Sequence, residues 1–597
     1  MPDTATNTQT ETGLSSSDQP IRAYYDRANP DLLNRLPLTA GKVLELGCGA
    51  GALAEAFRMR VPNVFYAGLE LDPAAAKIAA ERIDLVELFN ADTDDIPASI
   101  LAQAPFDAVV FGDVLEHLRD PWATVRRFAE LLAPNGTMLT CIPNVQNWKV
   151  LQTLMTEGFK FEDEGLFDRT HIRWFGLGNM VDLLRQAGIQ PCEIWPRNVM
   201  TEGHEAFVRA ITPSLPALGI KPDEFAQRTR ALQYVLRGIK GTPPKRMLLQ
   251  SMMLRPVGGV NDVRIGRPMA AMGSIPGIDV VTEVRTMKLL KKPEGQPKIF
   301  IWQRPVHRYI DARNILRAVE NGYIVVTEFD DHTMRWPDVA KHEYLTLTGC
   351  HGVQTSTRYL ADIFTEQQQA QPNDVRVFPN SIFNLPPRLN FQSPQRMSVF
   401  FGALNREKDW AAIMPGLNQA IRELDGEIEL HFSVVHDQAF FDALETSNKT
   451  FTPTCAYPQY LELMGQCEIA LLPLEDNLFN RCKSDLKFIE AGAAGLAVIA
   501  SPTVYQHTLK HNETGLLAEQ AADFGTALVE LARNRDKAKA LGNQARAYVR
   551  DNRMMASQVQ ERLDWYRKLW DERHETTPRL IDYLKGMIGK IEDPDRL

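Results

Sequence analysis

Short apolar runs separated by amphipathic stretches recur along most of the chain. The first, KVLEL (42–46), gives way to a glycine-rich turn and then to ALAEAFRMR, whose apolar residues fall at helical spacing. VFYAGLELDP (64–73), a run ending at Asn90-Ala91-Asp92, FDAVVFGDV (106–114) and GTMLTCIPN (136–144) continue the series. Strands alternating with helices predict parallel sheets with helices on their faces. The rhythm fades over 200–245, where helical segments alternate with prolines and end at GTPPK. It resumes at RMLLQSMML (246–254) and continues through PKIFIWQRP, GYIVVTEFDD, CHGVQTS and VRVFPN. A second set starts at RMSVFFGALNREKDW (396–410) and runs through GEIELHFSVV, CEIALLPL and LAVIAS. Beyond 525 the pattern is amphipathic helix of mixed charge, which reads as packing helices.

At 597 residues the chain exceeds a single core. Its rhythm predicts a disordered polar lead-in (1–20), a first α/β domain (21–200), a helical linker (201–245), two Rossmann-like lobes (246–390 and 391–570) and a helical tail (571–597). A net charge of −9 argues against non-specific nucleic-acid binding, which needs a basic surface. Seven scattered cysteines without CxxC spacing fit a reducing compartment better than a disulfide framework or a zinc site. No apolar run reaches the ~18–20 residues that span a bilayer, and the polar start lacks a signal peptide's basic and apolar segments. The expected location is cytoplasmic, with peripheral membrane contact still compatible.

In the first domain the turn ELGCGAG places Gly47, Gly49 and Gly51 after a strand, where backbone can approach a ligand closely. Glu70 ends the next strand, placed to accept hydrogen bonds from ribose hydroxyls. The turn lacks the GxGxxG order that seats a pyrophosphate, and Glu45 precedes its first glycine. The segment resembles the first motif of class I S-adenosylmethionine (SAM) methyltransferases. The resemblance covers about 21–200 and implies SAM as cofactor, with Glu45, Gly47, Gly49, Gly51, Glu70, Asp92 and Asp113 binding it. Asp113, Glu116 and His117 lie in D-x-x-E-H just past a strand end. Similar spacing in ubiquinone-pathway O-methyltransferases implies a divalent cation on these three residues; alternatively, Glu116 and His117 cap a helix. DRTHIRWF (168–175) resembles the D-x-T-H-x-R-x-F segment of glycan-pathway methyltransferases. It makes His171, with His117, a candidate catalytic residue, since an imidazole exchanges protons near neutral pH.

The second half, two α/β sets facing a cleft, resembles GT-B glycosyltransferases over about 246–570. FPNSI (378–382) is similar to the segment before the interlobe linker. CKSDLKFIEAGAAGLAVIAS (482–501) resembles the donor-binding segment of retaining enzymes related to glycogen and sucrose synthases. That resemblance implies a nucleotide-sugar donor, with Glu490 on the ribose and also a candidate catalytic residue, and Lys408 and Lys487 on the diphosphate. Gly258 and Gly259 would approach the phosphates, while Asp330 and Asp331 would serve the acceptor or cap a helix. Two departures stand out: Cys482 replaces a second glutamate near the donor sugar, and Ala403 replaces an arginine that Arg406 could supply. The expected protein joins a SAM-dependent O-methyltransferase to a glycosyltransferase acting on a glycan or glycolipid of surface-polysaccharide type. The alternative is a methyltransferase carrying a GT-B module that binds without turnover.

Overall fold

The computed structural model describes residues 27–591, apart from 164, 200, 254–257, 369–372, 392–395 and 405. The expected lead-in at 1–20 therefore lies outside the described residues. The chain divides into two compact units, the second beginning at Lys245 and also taking in Met59–Pro62.

The first unit is built on a seven-stranded sheet. Its strands are β1 (Lys42–Leu46), β2 (Phe65–Glu70), β3 (Leu85–Leu88), β4 (Phe106–Gly112), β5 (Leu132–Pro143), β6 (Ile189–Val199) and β7 (Ala231–Lys240), in the order β3-β2-β1-β4-β5-β7-β6. The β1 to β5 strands are mutually parallel, as the alternation predicts. Residues 231–240, expected in a helical linker, instead form β7, antiparallel to both β5 and β6. ALQYVLRGIK is apolar enough to be covered on both faces, and its burial is nearly continuous. It belongs to the sheet because its two neighbours would otherwise expose unpaired edges. Helices do occupy His204–Ile211 and Pro222–Arg230, within the expected linker.

The second unit contains two six-stranded parallel sheets. The first lobe has β8 (Met247–Met253), β9 (Ile278–Val284), β10 (Lys298–Gln303), β11 (Ile324–Glu328), β12 (Gly352–Thr355) and β13 (Asp374–Val377), ordered β13-β12-β11-β10-β8-β9. The second lobe has β14 (Arg396–Gly402), β15 (Glu429–Val435), β16 (Lys449–Thr452), β17 (Ile469–Leu472), β18 (Ala497–Ala500) and β19 (Leu516–Leu517), ordered β16-β15-β14-β17-β18-β19. The strand order reverses between β8 and β10 in one lobe and between β14 and β17 in the other. Ligands of open α/β sheets bind outside the strand ends at such reversals.

The C-terminal helices return to the first lobe. Leu580, Leu584 and Met587, at helical spacing, pack among Phe300, Ile315 and Tyr323. Trp565 and Tyr566 hydrogen-bond Asp374 and Gln354 of that lobe at 3.0 and 2.7 Å. A buried ion pair ties its strand ends together. Arg264 donates to both carboxylate oxygens of Glu328, at 2.8 and 3.1 Å, and also to Asn380 Oδ1 at 2.9 Å. Among the described residues, no helix is long and apolar enough to cross a membrane.

Candidate functional sites

In the first unit the β1–β4 reversal places the glycine turn beside the end of β4. Gly47 and Gly51 have φ of 72° and 80°, a region that favours glycine. A Cβ on Gly47 would also come within 3.2 Å of Val114. The Glu70 carboxylate, at the end of β2, is aimed at this turn. It accepts the Gly49 amide at 2.7 Å and those of Leu71 and Asp72 at 2.9 and 3.0 Å. A fixed acid beside an open turn fits the ribose of an adenosyl cofactor. Asp92, one strand further, accepts the Arg119 amide at 2.9 Å. Glu45 stands one residue from the end of β1, just before the turn. It is buried and accepts the Tyr66 hydroxyl at 2.9 Å. Burial pushes its carboxyl up to about 8, against the Tyr66 bond, with Glu70 adding to the rise.

The expected cation set is rearranged. Asp113, with φ of 53°, accepts from Gln233 Nε2 at 2.6 Å, on β7. Glu116, His117 and His171 instead come together, their ligating atoms within 4.8 Å of one another. His171 Nε2 is 3.9 Å from Glu116 Oε1, and the two histidine rings meet edge-on at 4.7 Å. The backbone links the segments, because Ile172 and Arg173 both donate to the Glu116 carbonyl at 3.0 Å. Burial raises the Glu116 carboxyl well above its ordinary range, and nearby Asp113 adds to the effect. Its Oε2 is buried without a hydrogen-bond partner, so the residues fit a divalent cation. Sequence spacing named two of these three, Glu116 and His117, as candidate ligands. The third, His171, was visible as a candidate base, but its convergence on Glu116 depends on a distant loop.

In the second unit both strand-order reversals line one cavity of about 250 Å³. From the second lobe come Ala403, Arg406, Leu472, Lys483 and Lys487; from the first, Val263, Arg264, Arg304 and Asp330. Lys487 donates to the Gly402 carbonyl at 2.6 Å, and its enclosure pulls the ammonium down to about 8. Arg406 lines the same cavity as Ala403, held by Asp409 and Asn480 at 3.0 and 2.8 Å. A neighbouring cavity of about 1160 Å³ shares Lys483 and Ser484 with it.

Other expected residues sit elsewhere. Lys408 lines the larger cavity. Glu490 lines neither, because the Tyr457 hydroxyl donates to its carboxylate and covers it. Arg267 stacks on the Tyr457 ring at 4.7 Å, and Gly259, with φ of 82°, lies against the same ring. Gly258 is exposed. Cys482, in place of the second glutamate, is fully buried in the first lobe's apolar cluster, and its thiol donates to the Leu478 carbonyl at 3.3 Å.

Residues 21–193 match the family model described as a methyltransferase domain, and residues 395–534 match that of glycosyl transferases group 1. A ubiquinone biosynthesis O-methyltransferase of Rhodopseudomonas palustris is 34% identical over 120 residues, 19% of this chain and 43% of that protein. One of Cereibacter sphaeroides is 31% identical over 180 residues, 29% of this chain and 69% of that protein. The chain spans less than half the length of the first curated relatives it matches, 43% and 48%. Among solved structures, a sucrose-phosphate synthase from Thermosynechococcus elongatus is 13% identical with a TM-score of 0.40, over 55% of this chain and 100% of that one. The chain belongs to the SAM-dependent methyltransferases through its first unit, and its second unit is a GT-B fold carrying a group 1 glycosyl transferase domain.

Proposed function

We propose that the first unit methylates a hydroxyl and that the second transfers a sugar from a nucleoside diphosphate, probing the same glycan class, a bacterial surface polysaccharide of O-antigen or capsule type. One observation carries this reading: each unit gathers its polar side chains where its strand order reverses. When bound, SAM supplies an electrophilic methyl on its sulfonium. Glu70 would hold the ribose hydroxyls, with Asp92 on the adjoining strand end. His171 takes the proton from the acceptor hydroxyl at Nε2, and the imidazolium that results, 3.9 Å from Glu116, draws that carboxyl into its charged form, which stabilises it. A divalent cation held by Glu116, His117 and His171 would instead acidify that hydroxyl. Both routes need Glu116, so Glu116→Gln should lower methyl transfer by about 100-fold or more. It should leave S-adenosylhomocysteine binding intact by calorimetry. Unchanged transfer would remove this cluster from the chemistry.

In the second unit the 250 Å³ cavity receives the diphosphate. Charge developing on the leaving group is met by Arg406, Lys487 and the amides at the start of the helix Leu486–Ala494. Lys483 and Ser484 open onto the larger cavity, which has room for the sugar and the acceptor. Retention of configuration at the sugar is part of this reading and is compatible with the fold. A second reading, binding without turnover, draws on Tyr457 covering Glu490 and on the buried Cys482. Mass spectrometry of surface glycan from a deletion strain tests the main reading. The expected result is loss of both a methyl group and a sugar residue. Loss of the methyl alone supports the binding module, and an unchanged glycan contradicts the proposed role.

A further inference from the structure

Arg304 and Lys483 line the smaller cavity but belong to different lobes. Arg304 follows β10, with φ of 45°, a conformation that side-chain-bearing residues seldom adopt. Lys483 precedes the helix Leu486–Ala494. Both converge on one buried acid, Asp331. Lys483 Nζ is 3.0 Å from Asp331 Oδ1, and an Arg304 nitrogen is 4.0 Å from Oδ2. Arg304 also donates to Asp330, and Arg335 reaches Asp331 Oδ2 at 3.2 Å. The cavity's other cations, Arg264 on Glu328, Arg406 on Asp409 and Lys487 on a carbonyl, take partners other than Asp331. Asp331 thus serves as a shared counter-ion for cations drawn from two lobes.

We propose that Arg304 and Lys483 form a cross-lobe clamp on the donor's diphosphate, and that Asp331, with Asp330 on the Arg304 side, holds both cations in place until that ligand arrives. The clamp rests on the reading of this cavity as a nucleoside-diphosphate site. A diphosphate offers more charge and more acceptor oxygens than a single carboxylate, so it competes effectively for both cations. Because they come from different lobes, binding one anion couples donor capture to the closed arrangement of the cleft.

Inorganic pyrophosphate, titrated calorimetrically into the full chain, tests the clamp without needing the base or the sugar. Lys483→Met and Arg304→Met should each weaken binding about tenfold or more. Lys483→Arg should restore most of the loss. Asp331→Asn breaks the same ion pair but should tighten pyrophosphate, because it removes the competing carboxylate. A purely structural clasp predicts that Asp331→Asn and Lys483→Met weaken binding together; that result overturns the clamp. Wild-type affinity in both Met variants does the same while sparing the nucleotide-site reading. If the wild-type chain binds neither pyrophosphate nor any of UDP, GDP, ADP and dTDP, both readings fall.

Discussion

Glu490 shows what one carboxylate costs in a buried helix. It is 4% exposed and hydrogen-bonded by Tyr457. Burial pushes its carboxyl from 4.5 up to about 7, with Tyr457, Arg267 and Lys487 pulling the other way. A carboxyl raised by folding is harmless while protonated in both states. As pH rises from 4.5 towards 7 it ionises first in the unfolded chain, so folding stability falls through that window and levels off above it. Urea unfolding of wild type and Glu490→Gln should therefore show the variant gaining about 2 kcal/mol on wild type between pH 5 and pH 8. A difference that stays constant with pH would contradict this burial. The acid itself was legible, because KFIEAGAAG sets a lone carboxylate among apolar neighbours. Its cover was not, since Tyr457 comes from a different helix. Likewise Lys483 and Asp331 lie 152 positions apart, and no local spacing links them.

At the scale of elements, strands flanked by their own helices were readable and the antiparallel additions were not. β1, its glycine turn and β2 announce themselves within some 30 residues, because each step obeys a local rule. β7 follows two helices and a proline-rich stretch, so its apolar run looked like part of a linker. Its partners β5 and β6 are supplied from much earlier in the chain. A chain ending after residue 200 leaves β5 and β6 without the strand that joins them. Circular dichroism should find that fragment largely unfolded, whereas a fragment ending at residue 244 should fold and melt cooperatively. Equal stability of the two fragments would show that β7 is dispensable. The C-terminal helices teach the same lesson. Their amphipathic spacing was visible, but not that the face carrying Leu580 and Leu584 belongs to the first lobe rather than the second.

For the whole molecule, the claim is that one chain holds two separate nucleoside sites. One would be organised by Glu70 and the glycine turn, the other by Lys487 and the cavity between two sheets. The order of motifs made two candidate sites readable. Which cations face the second one required the fold, since Lys408 and Arg406 are two residues apart yet line different cavities. Calorimetry on the full-length chain tests the claim most directly. S-adenosylhomocysteine and one of the nucleoside diphosphates UDP, GDP, ADP or dTDP should each bind once, with neither altering the other's stoichiometry. Glu70→Ala should abolish only the first, and Lys487→Met only the second. Failure of either ligand to bind, or loss of both in one variant, would contradict two separate sites.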